Sequence, residues 1–172
     1  MAHPFAVPSL GETLIARLRQ AWPQPGGALP ACSFVLLTAS QLARPIDSAG
    51  LEVGLLLHHV APEPADLSIG RSDPLGLPAP IALELHYLLT VRGGDAAQEQ
   101  LALAWAMTVL QDSRLLDSAS LPPGAGWSAQ ERIEVLMAPL GCADLQAIWR
   151  ALGVPQRLSV GYLVRGVVLD EG

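Results

Sequence analysis

The 172-residue sequence has no lysine and no asparagine, and its ten basic residues are all arginine. They stand singly from Arg17 to Arg165 against sixteen acidic residues, for a net charge of -6. A nucleic-acid groove needs concentrated positive charge, so this balance argues against that partner. A Walker-type phosphate loop needs a lysine and is excluded. No physical requirement explains both missing residue types, and codon bias in a GC-rich bacterial genome is the simplest reading. Long apolar runs are also missing: hydrophobic content is 51%, yet no run approaches the roughly 18 residues that suggest a bilayer span. Met1 to Pro8 lacks the cationic and then apolar pattern of a secretion signal. A soluble protein made and held in the cytoplasm is the expectation. Cys32 and Cys142 form neither a metal-binding spacing nor a disulfide framework, and both are expected to be small buried groups.

What is present is organised around Pro80 to Val91. Ile81, Leu83, Leu85, Tyr87, Leu89 and Val91 fall on one face at period two, with Ala82, Glu84, His86, Leu88 and Thr90 on the other. That pattern predicts a long half-buried strand. Ordering each residue costs about 1 to 2 kcal/mol of backbone entropy, so the strand needs a covering layer.

The rest of the chain supplies one. Ser9-Leu10-Gly11-Glu12 has the capping-box form and opens a helix with Leu10, Leu14, Leu18 and Trp22 on one face. Strands are predicted at Ser33–Thr38 and from Leu51 to His58, and a Pro/Gly-rich loop from Ala61 to Ala79. After Gly93-Gly94-Asp95, Ala96 to Asp112 is rich in helix formers and apolar nearly all round, as in a buried helix. Leu115 to Ala129 reads as loop. Ser128 to Glu131 repeats the capping pattern, but the alternation of Ile133, Val135 and Met137 outweighs it and predicts a strand. A helix follows from Cys142 to Leu152, stopped by Gly153 and Pro155, and a long strand closes from Leu158 to Val168. The expected fold is α+β over a single domain, 1–172: one mixed or antiparallel sheet of about five strands, with about three helices mainly on one face.

Chemical motifs are sparse. Gly124-Ala125-Gly126-Trp127-Ser128-Ala129 has the letters of a dinucleotide fingerprint but lacks the preceding strand and following helix, so a loop is expected. No serine sits in a nucleophile elbow. Loop carboxylates such as Asp66, Asp73, Asp95 and Asp117 are most simply solvated charges. Glu84 and His86 share a strand face, and pairing with the strand that carries His58 would complete two histidines and a carboxylate. His58 and His59, adjacent on a strand, are expected to point to opposite faces. A polar sheet face is favoured over a metal site, with a small metal-dependent enzyme or ligand-binding domain on His58, Glu84 and His86 as the alternative. No catalytic residue and no cofactor is expected.

Four segments in order carry a resemblance: Ser9-Leu10-Gly11-Glu12-Thr13-Leu14; Leu55 to Pro62; Pro80 to Thr90 followed by Trp105-Ala106-Met107; and Leu145 to Arg165 with Ile148-Trp149-Arg150-Ala151-Leu152-Gly153. Together they resemble the N-terminal domain of the cap, or tail-terminator, protein of phage-tail-like contractile injection systems. The chain departs from that family at His58-His59-Val60 and Glu63-Pro64, where a Tyr-Arg-Val and then an Asn-Pro are usual. The resemblance implies a tail-terminator-like fold and a non-enzymatic role: a hexameric ring that ends the inner tube and sheath, with coupling of sheath to tube as a further role. It implies tube and sheath subunits as partners, no nucleic acid and no membrane, and assembly in the bacterial cytoplasm into a particle that can be released. The long loop and the last strand are the expected places for ring closure and strand addition. Arg71, Asp73, Arg92 and Asp95, all in predicted loops, are the candidate polar interface residues.

Overall fold

A computed structural model describes residues 3–23, 30–45, 50–64, 80–127 and 131–169. In chain order the elements are α1 (Ala6–Ala21), β1 (Cys32–Leu37), α2 (Ala39–Leu42), β2 (Leu51–Pro62), β3 (Ile81–Arg92), α3 (Ala96–Asp112), β4 (Leu115–Asp117), β5 (Arg132–Ala138), α4 (Cys142–Leu152) and β6 (Ser159–Leu169). The strands form one six-stranded sheet in the order β1-β2-β3-β6-β5-β4. β1 runs parallel to β2 and every other pairing is antiparallel, so the sheet is mixed.

Each face is covered for a reason visible in the residue pattern. Leu10, Leu14 and Leu18 of α1, with Ala102, Ala106 and Leu110 of α3, are buried in one cluster with Phe34, Val53, Leu55, Leu85, Tyr87, Leu89, Val91, Tyr162 and Val164. Trp22 meets Trp105 edge-on with ring centres 4.6 Å apart and Phe34 at 5.6 Å, a favoured aromatic geometry. Among the described residues the opposite face carries a smaller cluster. There Leu37, Leu42, Leu56, Leu88 and Trp149 form a second cluster, joined by Leu145, Ile148 and Leu152 of α4. The buried Trp149 indole donates to Ser159 Oγ at 3.0 Å, which satisfies its one polar group. A side chain at Gly54 would overlap Leu37, so the bare backbone lets β1 lie close.

Three local departures from the sequence pattern have identifiable causes. Helix α1 begins at Ala6, not at a Ser9 cap: the Ser9 hydroxyl donates to Ala6 O at 2.8 Å inside the helix. Pro8 in the first turn is the better start signal, since its missing N–H would have no helical partner there. The segment read as loop from Leu115 contains β4, three residues too short for a period to register. Asp95, expected as a solvated loop charge, caps α3 instead, accepting from Gln98 N at 2.9 Å while Gln98 Oε1 accepts from Asp95 N at 3.0 Å, a reciprocal capping box.

The middle strands carry two irregularities. Between β2 and β3 the register passes from Leu57 opposite Tyr87 to His59 opposite His86, leaving His58 as an extra residue. Between β3 and β6 it passes from Leu85 opposite Val164 to Leu83 opposite Val167. The second bulge contains Gly166 at φ +82°, where a Cβ would overlap the Arg132 carbonyl, so glycine is required there.

Candidate functional site

The β2 bulge changes the geometry of the histidines. Adjacent residues on a regular strand point to opposite faces, but an inserted residue breaks that alternation. His58 and His59 therefore both lie beside His86, with ring centres 6.3 and 5.1 Å from it. This corrects the expectation that the two point apart.

Glu84 lies two residues along β3 from His86. It is buried, and its Oε1 accepts from Arg165 Nε of β6 at 2.8 Å while its Oε2 stands 3.7 Å from His86 Nε2. Burial, and then the neighbouring histidines, hold the His58 and His86 imidazoles below their ordinary range; Glu84 works against this at His86. Among the described residues, no group of three or more His, Cys, Asp or Glu is placed to hold a metal ion. The arrangement is a compact cluster of bases around one ion pair.

Of the four polar residues expected in loops, Arg71 and Asp73 lie outside the described residues. Arg92 is not in a loop. It ends β3, is buried, and donates from Nε to Glu52 Oε1 and from Nη1 to Gln41 O at 3.1 Å and Arg44 O at 3.0 Å. Its fork binds β2 and the turn after α2 to the end of β3. Asp95 is exposed, with its side chain engaged in the α3 cap.

The sheet edges also differ from expectation. β6, expected to accept an added strand, is held between β3 and β5. β1 is a true edge. Its Ala31 carbonyl accepts from Leu51 N, and strand alternation then turns the Phe34 carbonyl outward. That carbonyl accepts from Arg19 Nη2 of α1 at 2.9 Å, which partly blocks the edge.

The remaining chemical candidates are quiet. Cys32 is half-buried, and burial pushes its thiol up to about 11, which leaves it protonated and unreactive. Cys142 is exposed at the first position of α4, contrary to the buried position expected. In the glycine-rich stretch, Pro123–Ala125 form a 3-10 turn and Gly126 adopts φ +73° ahead of β5. That is a loop; Ser128 and Ala129 lie outside the described residues. No described helix is long and apolar enough to cross a membrane.

The fold is similar to that of a sheath/tube terminator of an extracellular contractile injection system, PVC, in its extended state. The TM-score is 0.59 at 20% identity, covering 96% of this chain and 57% of that one. It is also similar to the tube-terminating cap of the anti-feeding prophage, with a TM-score of 0.57 at 15% identity, covering 96% of this chain and 55% of that one. The chain thus spans a little over half the length of these two proteins. No curated protein sequence matches it. The family model described as the Pvc16 N-terminal domain matches residues 9–172, and the chain belongs to that family, the N-terminal domain of a contractile injection system cap.

Proposed function

We propose that this protein is a structural, non-enzymatic cap: a ring, six-membered by the family resemblance, that ends the inner tube and sheath of a contractile injection particle and couples one to the other. The observation that carries the reading is the family match across residues 9–172, supported by the likeness to two tube-terminating proteins. The physical character of the chain supports it. The functional demand on a cap is a rigid body with complementary surfaces, and a heterologous ring contact needs two different patches on each subunit.

Polar contacts to neighbouring subunits are assigned to Arg71 and Asp73. Arg92 and Asp95 would act from behind, by fixing the end of β3 and the start of α3. The particle would be assembled in the bacterial cytoplasm and released from the cell.

The test is end-decoration. Purified protein mixed with isolated tube or sheath particles is expected to sit at one end of them in negative-stain images, and native mass measurement is expected to give a hexamer. Uniform absence of end-bound protein would overturn the capping reading. Rings without end-binding would retain oligomerisation and remove the cap. Substituting Arg71 and Asp73 together tests the contacts: unchanged assembly and binding would eliminate them.

A further inference from the structure

The three clustered histidines lie on the part of the sheet where β2 has run past the end of β1. β1 stops at Leu37, opposite Leu56. Beyond that point β2 continues through His58 to Pro62, paired with β3 on one side and with no strand among the described residues on the other. The β2 bulge interrupts the ladder at its start. Val60 and Ile81, on this outer part of the sheet, are exposed, and the buried members of both apolar clusters on β2 are confined to Leu51–Leu56.

The charges that face one another here come from three strands: His58 and His59 on β2, Glu84 and His86 on β3, and Arg165 on β6. With the imidazoles neutral, Arg165 and Glu84 cancel. Each added proton places positive charge beside Arg165 and the other two rings; among the described residues the carboxylates facing it are Glu84, already bonded to Arg165, and Glu134 of β5, opposite Arg165 and one strand further from the rings.

We propose that His58 and His86, packed against His59, form an acid-responsive latch: on protonation of these two, the outer half of β2, His58–Pro62, parts from β3 while the remainder of the sheet stays paired. This inference goes beyond the capping reading and does not rest on it. The direction is fixed by linkage. His58 and His86 bind protons less readily in the folded chain than when unfolded, because of burial and one another. Their neutral forms therefore support the folded end above the ordinary histidine pKa of about 6.5, and that support is lost as pH falls below it. An acid-opened β2 would expose a new strand edge on β3, changing the surface presented at this end of the molecule.

Amide hydrogen exchange of the full chain, at about pH 7.5 and about pH 5.5 with chelator present and corrected for intrinsic rates, tests the latch. Amides of His58–Ala61 and their partners Glu84–His86 are expected to lose protection roughly tenfold or more at the lower pH. Those of Leu88–Val91 should hold theirs. The double variant His58→Gln and His86→Gln should lose this selective pH response, and His59→Gln, at an exposed position, should reduce it. A loss of protection spread evenly over the sheet would overturn the proposal, as would a selective loss that persists in the double variant or no change at all. If the double variant fails to fold, the His59→Gln comparison decides: an unreduced response removes the latch.

Discussion

The two ends of the β2–β3 pair are built on opposite principles. At the Leu51 and Arg92 end, β2 has neighbours on both sides, both faces of the sheet are covered, and Arg92 reaches a carboxylate and two carbonyls. At the Pro62 and Ile81 end, β2 has one neighbouring strand among the described residues, the strands are bulged, and polar groups replace apolar ones on the face that carries Glu84 and His86. The same two strands thus pass from a buried, clamped end to a partly exposed one within twelve residues each. Local stability follows the number of buried contacts and flanking strands, so one pairing can hold both a fixed and a labile end.

The sharpest way to break this comparison is to remove the clamp. Arg92→Ala leaves Glu52 without its cation and two carbonyls without their donor, and should cost about 3 to 5 kcal/mol in urea unfolding. A cost below about 1 kcal/mol would mean that the clamped end is not the stable one. At the other end, Gly166→Ala forces a left-handed conformation that costs about 1 to 2 kcal/mol before any clash with Arg132. The loss should appear first as faster amide exchange in Val167 and Val168. Asp95→Ala removes the α3 cap and should cost about 1 kcal/mol, read as a lower thermal midpoint with unchanged acid response. The smallest effect is expected between the two ends, at Tyr162. Its buried hydroxyl, pushed up to about 12 by burial, has no partner among the described residues. Tyr162→Phe should therefore change stability by less than about 1 kcal/mol, in the stabilising direction. A larger loss would reveal a hydrogen bond.

The long elements were legible in the sequence because their periods run through many residues. Ala96–Asp112 and Cys142–Leu152 occupy the helical positions predicted, and the alternation around Leu85, Tyr87 and Leu89 marks the buried face of β3. The Ser9 capping pattern places the start of α1 four residues late because a capping box and a mid-helix serine share the same letters; only Pro8 distinguishes them. The candidate site was less legible. His58 and His59 meet because of one inserted residue, and a bulge is a property of two paired strands that neither sequence carries alone. Arg92 was placed in a loop for a related reason: its acceptors lie on β2 and at Gln41 and Arg44, about fifty residues away. Short-range pattern cannot report such partners. The family, by contrast, was visible from the order of four separated segments, which no single period or motif conveys.

The position of β6 bears on how the molecule is made. The last of the six described strands fills the gap between β3 and β5, and its partners on β3 lie roughly eighty residues earlier in the sequence. Until it emerges from the ribosome, β3 and β5 both lack the strand that pairs with them in the finished sheet. Closure is therefore a late, long-range step, of the kind that slows folding and leaves nascent chains open to wrong pairing. A ribosome stalled before Ser159 would carry a chain with both edges exposed, a natural client for a chaperone.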